Sequence, residues 1–483
     1  MNGATAFEAP GARAPASAAA ESLTGAIERA TGENVFRCYH CGRCTSGCPL
    51  AEHFDLTPNQ VIRGLQLDDT GVLASRTIWL CASCQTCTTR CPQKIDVAAI
   101  MDALCVEATR RGVAPAVPEI AAFNRLFMGS VKLLGRAYEL GFGIALNLAQ
   151  RTPFKDLRMA LALLRRGRLH LVPRLARRAE RTETAAAHSD RAVGFFPGCA
   201  LDSSAVEYGR SARATAAALD IELVEPPGWQ CCGATPAPAT DPALAVGLPM
   251  RGVASVERMG LDTVTSPCSK CFARLKFAEH AARRGDDVSR EARARAGYDY
   301  RGTVKVQHFL DTLLDRAGLA EIEARVRRPL ETLRVACYYG CLITRPAALT
   351  GAEHPEYPTR MDDLLRALGA DPVDWSYKTE CCGGALGVSQ TPIALELSRK
   401  VLENALACGA EAVVTMCPLC HMNLDARQPE IGLDRAVPVL HATQLAALAF
   451  GLEAKAAALD KNVIDPRPLL AGKGLFCRGV AGR

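Results

Sequence analysis

Along the second half of the chain, short apolar runs alternate with longer stretches of helical periodicity, and the alternation occurs twice. Val193 to Phe196 is followed by a helical stretch from Ser203 to Leu219, then by apolar runs at Ile221 to Val224, Thr263 to Thr265 and Val304 to Val306. Val335 to Tyr338, Ala412 to Met416 and Val437 to Leu440 occupy corresponding places further on. Strands separated by helices predict an α/β architecture with parallel strands, and the recurrence from Ala192 to Leu452 predicts an internal duplication.

The first half carries a different pattern. Phe123, Leu126, Phe127, Val131, Leu134 and Tyr138 recur at helical spacing with Arg125, Lys132 and Arg136 between them, as in an amphipathic helix with one buried face. Residues 101–175 read as helical and increasingly basic. Residues 21–100 are so dense in cysteine that little room is left for an apolar core, and bound metal is expected to supply much of their folding energy. The longest apolar run, Leu140 to Leu146, falls far short of the ~20 residues that cross a bilayer, so membrane contact is expected only at the surface or through a partner protein.

The predicted fold class is α+β multi-domain: a helical ferredoxin-like di-cluster unit, then a duplicated α/β unit. Residues 1–20, rich in Ala, Pro and Gly, read as disordered; the helical unit spans 21–185, with a boundary in Arg181 to Asp190. The α/β repeats span 192–320 and 330–455, and 456–483 reads as an Ala-rich helix and loose tail.

Composition adds the chemistry. The chain has 483 residues and 22 cysteines, and it opens on no secretory signal pattern, so reduced thiolates in a cytoplasmic setting, most of them bound to metal, are expected. A net charge of +6 on this length does not argue for nucleic acid. Arg165, Arg166, Arg168, Arg174, Arg177, Arg178 and Arg181 crowd one segment opposed by Glu180; they read as a solvated linker face, with a docking patch for an acidic partner or lipid headgroups as the other reading.

Cys38, Cys41, Cys44 and Cys48 followed by Pro49 spell C-x2-C-x2-C-x3-C-P, and Cys81, Cys84, Cys87 and Cys91 followed by Pro92 spell it again. Three thiolates in a tight loop can hold three corners of a [4Fe-4S] cube while the fourth reaches across to a second cube. The spacing therefore assigns Cys38, Cys41, Cys44 and Cys91 to one cubane and Cys81, Cys84, Cys87 and Cys48 to the other, forming a one-electron wire. Structural zinc would take paired C-x2-C hooks instead. Tyr39 and His40, beside the first loop, read as packing and solvent-facing residues.

Ten further cysteines repeat in register. The first repeat carries Cys199, then Cys231 and Cys232 with Gly233, then Cys268 and Cys271; the second carries Cys341, then Cys381 and Cys382 with Gly383, then Cys417 and Cys420. The intervening lengths are 31 and 35 residues in the first and 39 and 34 in the second. The single cysteine and the C-x-x-C of each repeat follow predicted strands, whose carboxyl ends are where ligands gather in open α/β sheets. Gly233 and Gly383 read as places where a side chain would block backbone approach to a cluster. A thioredoxin-like dithiol would leave three cysteines of each repeat unexplained.

The segments FFPGC, WQCCGA, PCSKC, YYGCLITRP, ECCGG, CPLC and VPVLHATQLAALAFG closely resemble the B-type chain of heterodisulfide reductases, the CCG-domain proteins, and the first 180 residues, with KLLGRAYELG, resemble the C-type chain. The resemblance covers nearly the whole sequence as a C–B fusion. It implies that Cys199, Cys231, Cys232, Cys268 and Cys271 hold one noncubane [4Fe-4S] cluster and Cys341, Cys381, Cys382, Cys417 and Cys420 another. In that family the two face each other across a pocket where a disulfide is split, one sulfur being bound transiently by each cluster. Leu342 follows Cys341 where His is expected in the methanogen enzymes, Cys337 is an alternative ligand to Cys341, and Cys105, Cys408 and Cys477 fit no set.

The resulting expectation is one component of an oxidoreductase complex that reduces or forms a disulfide at paired noncubane clusters fed by two cubanes. No Gly-rich dinucleotide fingerprint is present, so flavin would come from a partner such as the family's A-type flavoprotein. The alternative is a non-catalytic iron–sulfur carrier, as in glycolate or glycerol-3-phosphate dehydrogenases that feed quinone; a zinc-ordered interaction module is the non-redox reading. His308 and His441, ending equivalent segments, read as structural histidines rather than proton donors.

Overall fold

The structure, a computed structural model, describes residues 21–173, 175–176 and 188–476. The expected disordered start, most of the Arg181 to Asp190 boundary, four of the seven clustered arginines and Cys477 lie outside the described residues.

In the front unit, Ser22 opens helix Leu23–Thr31 by accepting the Gly25 N–H at 3.0 Å, and Gly32 closes it in the left-handed conformation. Thr57 and Gln60 make a capping box for Pro58–Gln66, and Asp96 caps Val97–Arg110. Between the cysteine loops these helices bury Leu23, Ile27, Val61, Leu65, Ile100 and Leu104 against one another. The expectation of a front unit without an apolar core is therefore corrected: three short amphipathic helices supply one.

Asp55 fastens the loop ahead of Cys81. Its carboxylate accepts from Ser75 Oγ (2.6 Å), the Arg76 N–H (2.9 Å), and the N–H and hydroxyl of Thr77 (3.1 and 2.9 Å). Desolvation works against the charge, but these bonds outweigh it and hold the carboxyl well below the usual range. A depressed folded pKa gives stability that is present above the unfolded value near pH 4 and lost as pH falls through the folded value. Asp55→Asn is thus expected to cost about 1 kcal/mol at pH 7, solvent screening included, with a gap to the parent that narrows in acid. Urea titrations at pH 7 and in acid check both parts.

The chain then runs through helices Pro118–Leu134, Glu139–Ala149 and Leu157–Arg165. The amphipathic helix predicted as far as Tyr138 stops at Leu134 because Gly135, at φ 73°, turns the backbone. The apolar stripe is otherwise as expected, with Phe123 and Phe127 meeting Phe142 edge-on at 5.1 and 5.9 Å.

Two four-stranded parallel sheets follow. β1 (Val193–Phe195), β2 (Leu223–Val224), β3 (Thr263–Ser266) and β4 (Lys305–His308) are ordered β2-β1-β3-β4. β5 (Arg334–Tyr338), β6 (Asp371–Pro372), β7 (Ala412–Thr415) and β8 (Val439–His441) are ordered β6-β5-β7-β8. The identical order is the duplication in three dimensions. β1, β3 and β7 are buried along their length, as parallel strands covered on both faces must be. The sequence reading missed β6, a two-residue edge strand containing proline, which carries no apolar run to find.

The repeats share one core that runs from Phe195 and Tyr208 to Val335, Met416 and Leu440. Across the seam, helix Val206–Ala218 meets helix Ala442–Ala449 through Ser211 Oγ and Thr443 Oγ1 at 2.7 Å, and Thr215 Oγ1 donates to Thr443 O at 3.1 Å. Leu459 and Leu470 are buried in the same core, so the described part of the tail is packed rather than loose.

Candidate functional site

Backbone geometry aims the sulfurs. After β1 and after β5, Gly198 (φ 74°) and Gly340 (φ 68°) swing the chain toward the C-x-x-C loop of the same repeat. A Cβ there would lie 2.8 Å from Cys271 Sγ and 2.9 Å from Cys420 Sγ. The role expected for Gly233 and Gly383 is corrected: both have positive φ, but a Cβ would meet Ala237 at 2.5 Å and Ala394 at 2.7 Å rather than a sulfur. Gly340→Ala combines left-handed strain of about 1–2 kcal/mol with displacement of Cys420. It is expected to deplete iron from the second repeat while leaving the front unit's helical circular dichroism unchanged.

The thiols of the two repeats form two series of contacts, which part between Cys381 and Cys382. In the first repeat Cys199 meets Cys231, Cys231 meets Cys232, Cys232 Sγ lies 3.3 Å from Cys271 Sγ, and Cys271 meets Cys268. In the second, Cys341 meets Cys381, while Cys382 meets Cys420 and Cys420 meets Cys417. Cys268 meets Cys417 across the seam between repeats. Cys84 of the front unit meets Cys381.

Cys48 sits with Cys81, Cys84 and Cys87 around one apolar hollow. Cys44 lies within the field of Cys38 and Cys41. Cys91 ends the short helix Thr86–Arg90, accepts the Ile95 N–H at 3.4 Å, and is half-buried like Cys38. Cys41 is exposed.

Burial makes these poor thiolates by themselves. Desolvation pushes Cys48 up to about 12, and raises Cys81 and Cys87 further. The Cys381 thiol pulls Cys84 down to about 5, aided by Thr86 and the Arg345 guanidinium. Within each repeat the sulfur contacts raise Cys231 and Cys420 and lower Cys232, Cys382 and Cys417, and none of the described cysteines is in a disulfide. Crowded, buried, unpaired thiols of this kind fit a metal cluster, which takes the place of their protons.

The remaining cysteines fall outside the series. Cys337 shares with Tyr339 the face of β5 opposite to Ala336 and Tyr338, and its field comes from Asp362 and Lys378. Tyr338, on the other face, packs with Cys382, Cys417 and Cys420, so the alternation turns Cys337 away from the second thiol set. Cys105 donates to Ile78 O at 3.1 Å, and Cys408 is the C-cap of helix Thr391–Ala407.

Two buried arginines, neither identified from sequence as a site residue, join the parts. Arg345 donates to Thr86 Oγ1 (2.8 Å) beside Cys84 and Cys87, and to Thr379 O (2.9 Å) ahead of Cys381, fixing the front unit against the second repeat. Arg168, expected on a solvated linker face, is fully buried. It donates to Ser204 O (2.6 Å) and Lys461 O (3.1 Å) and pairs with Glu207 (3.0 Å) and Asp425 (3.4 Å). The signal available was the Arg-x-Arg crowding itself, which does not say which arginine turns inward.

Beside Arg168, Glu207, His421 and His441 converge, but the two imidazoles stack at 4.3 Å and 21°, so their in-plane lone pairs do not meet at one ion. Burial pushes His441 down to about 3 and His308 to about 4, leaving both neutral. His308 Nδ1 caps helix Phe309–Arg316 through the Leu310 N–H at 3.2 Å, the structural role expected of it.

A cleft of 1020 Å³ opens where the front unit and both repeats meet, reaching Ser83, Gln85, Lys270, Arg274 and Leu342. Lys270, between Cys268 and Cys271, is buried and has no hydrogen-bond or ion-pair partner among the described residues; it lies within the field of Asp102. Ser83 Oγ donates to Asp102 at 3.1 Å, and burial pushes that carboxyl up to about 6.

A helical double-cysteine-loop unit wired by contact to paired α/β repeats with five thiols each defines an iron–sulfur electron-transfer protein. The family model of the cysteine-rich CCG domain matches residues 193–276 and 335–425, and that of the 4Fe-4S dicluster domain matches 34–95. The chain belongs to the CCG family as a fusion of parts like the B-type and C-type chains of heterodisulfide reductase.

Among its relatives is the 8-methylmenaquinol:fumarate reductase membrane anchor subunit of Wolinella succinogenes, 36% identical over 280 residues, 57% of this chain and 98% of that one. The B-type chain of the ferredoxin/F(420)H(2)-dependent CoB-CoM heterodisulfide reductase of Methanosarcina acetivorans is 30% identical over 294 residues, 58% of this chain and 96% of that one. The C-type chain of the ferredoxin:CoB-CoM heterodisulfide reductase of Methanosarcina mazei is 37% identical over 86 residues, 18% of this chain and 53% of that one. No described helix is long and apolar enough to cross a membrane.

Proposed function

We propose that this chain carries electrons from a flavoprotein or other donor protein to a disulfide, or in reverse from two thiols, within an oxidoreductase complex. Cys38, Cys41, Cys44 and Cys91 would hold the outer cubane and Cys81, Cys84, Cys87 and Cys48 the inner. Cys199, Cys231, Cys232, Cys268 and Cys271 would hold one noncubane cluster, and Cys341, Cys381, Cys382, Cys417 and Cys420 the other. When bound, these clusters supply the one-electron steps that a two-electron disulfide reaction must combine.

The observation that carries this reading is the pair of junction contacts, Cys84 with Cys381 and Cys268 with Cys417. They order the path: exposed Cys41 side, inner cubane loop, second repeat, first repeat. The protein's own contribution is positional. Arg345 holds the inner loop on the second repeat, and the cleft admits substrate beside Lys270 and Leu342. Lys270 favours a substrate with an acidic group.

The test is EPR of the anaerobic protein before and after candidate thiols. New paramagnetic signals that vanish in Cys231→Ala or Cys381→Ala support disulfide chemistry. Spectra unchanged by every thiol move the reading to a carrier that passes electrons toward quinone without a substrate of its own. The Wolinella relative, by its name, supports the quinone link of that second reading, with electrons leaving a quinol rather than passing toward a quinone.

A further inference from the structure

Most of the exposed greasy surface of this molecule lies in one short stretch. Of the fourteen large apolar side chains exposed among the described residues, nine fall between Leu133 and Leu175, in the three linker helices and the segment after them. On helix Leu157–Arg165 the usual arrangement is inverted: Leu157 and Leu161, four apart and so on one face, point outward, preceded by Phe154 at 79% exposure. Ile144 and Leu148 repeat the i, i+4 pair on helix Glu139–Ala149. Exposed apolar side chains concentrated in one stretch in this way mark a contact.

The charge around it says with what. Of the eight Lys and Arg in residues 132–168, Arg168 is buried against Glu207 and Asp425 and Arg136 pairs with Asp202, while others remain on the outer face. Lys132, Arg151, Arg158 and Arg165 are exposed and have no acidic partner among the described residues. Arg158 and Arg165 flank Leu157 and Leu161 on the same helix face. Outward leucines and phenylalanine bordered by unpaired cations are what an interfacial helix presents to headgroups and the acyl boundary beneath them.

The face also adjoins an opening to the first repeat. Leu171 and Val172, both more than 70% exposed, run beside Tyr138, whose hydroxyl donates to Leu171 O at 2.5 Å. A hollow there is walled by Arg136, Tyr138, His170 and Val172 and floored by Cys199. The Ala137 N–H donates to the Cys199 sulfur at 3.4 Å.

We propose that residues 132–173 and Leu175 form a lipid-docking face with which this chain itself settles on a bilayer bearing anionic headgroups, bringing the Cys199 opening to the membrane surface. No membrane span and no anchoring partner is required. The contact is shallow, reversible and salt-sensitive.

The full chain, purified anaerobically, is to be sedimented with vesicles of phosphatidylcholine alone and with vesicles containing about one-third phosphatidylglycerol. It is expected to pellet with the anionic vesicles and to be released at high salt. Leu157→Glu/Leu161→Glu and Arg158→Glu/Arg165→Glu are each expected to cut the bound fraction by at least about tenfold with unchanged iron content and circular dichroism. Leu67→Glu, an exposed leucine of the front unit, is expected to bind like the parent. A chain that stays in the supernatant with both vesicle types overturns the proposal and assigns the face to a protein partner. Equal binding by the two double variants and the parent overturns it as well.

Discussion

Cys417→Ala is expected to abolish turnover of any disulfide substrate and to uncouple the two repeats, with a loss well beyond the roughly 10–100-fold that follows removal of an outer-shell partner of a metal site. Cys417 is the sulfur of the second repeat that touches both its own set, through Cys420, and the first repeat, through Cys268. Those contacts and Ser269 stabilise its thiolate against desolvation. Its removal opens the second set and the junction together. Cys337→Ala is the control: on the opposite face of β5, it should cost about 1 kcal/mol of packing and leave iron content and turnover as they were. Iron analysis, spectroscopy of reduced protein and turnover on the two variants separate a ligand at the seam from a buried cysteine on a neighbouring strand.

The second large effect concerns stability. Arg168→Met is expected to destabilise the chain by about 3–5 kcal/mol, because Glu207 and Asp425 would remain in the core without their countercharge. Arg168→Met combined with Glu207→Met should recover part of that loss, since one of the two stranded carboxylates is removed while Asp425 remains. Burial already pushes Asp425 up to about 6 despite the pull of Arg168. A raised folded pKa gives a contribution that is full below the unfolded value near 3.9 and lost as pH rises through the folded value. In the parent that decline lies between about pH 4 and 6; without Arg168 it should extend upward. Denaturant unfolding across this range is the measurement.

How far the sequence disclosed all this depended on whether a feature was local. The cysteine sets, the parallel strands and the duplication were legible, because each rests on spacing within a few residues or on one spacing repeated. The front unit's core was hidden by the cysteines among which Val61, Leu65 and Ile100 are scattered. Arg168 and Arg345 were not legible as buried, because their partners are tens to hundreds of residues away and a charged side chain gives no local sign of where it will be neutralised. Nothing in the sequence sets Gly198 and Gly340 apart from Gly233 and Gly383; only the positions of Cys271 and Cys420 reveal which pair crowds a sulfur. The outward leucines of Leu157–Arg165 have the same periodicity as a buried stripe, and periodicity alone does not say which face the protein covers.

The central claim is that the thiols of the two repeats are cluster ligands wired to the front unit. Iron and acid-labile sulfide per chain, measured on anaerobically prepared protein together with EPR of the reduced state, test it most directly. The expected result is about 16 irons, half of them outside ordinary cubes, with magnetic coupling between neighbouring centres. About eight irons, all in two ordinary cubes, would contradict the claim and leave the ten paired-repeat cysteines without the role argued for them.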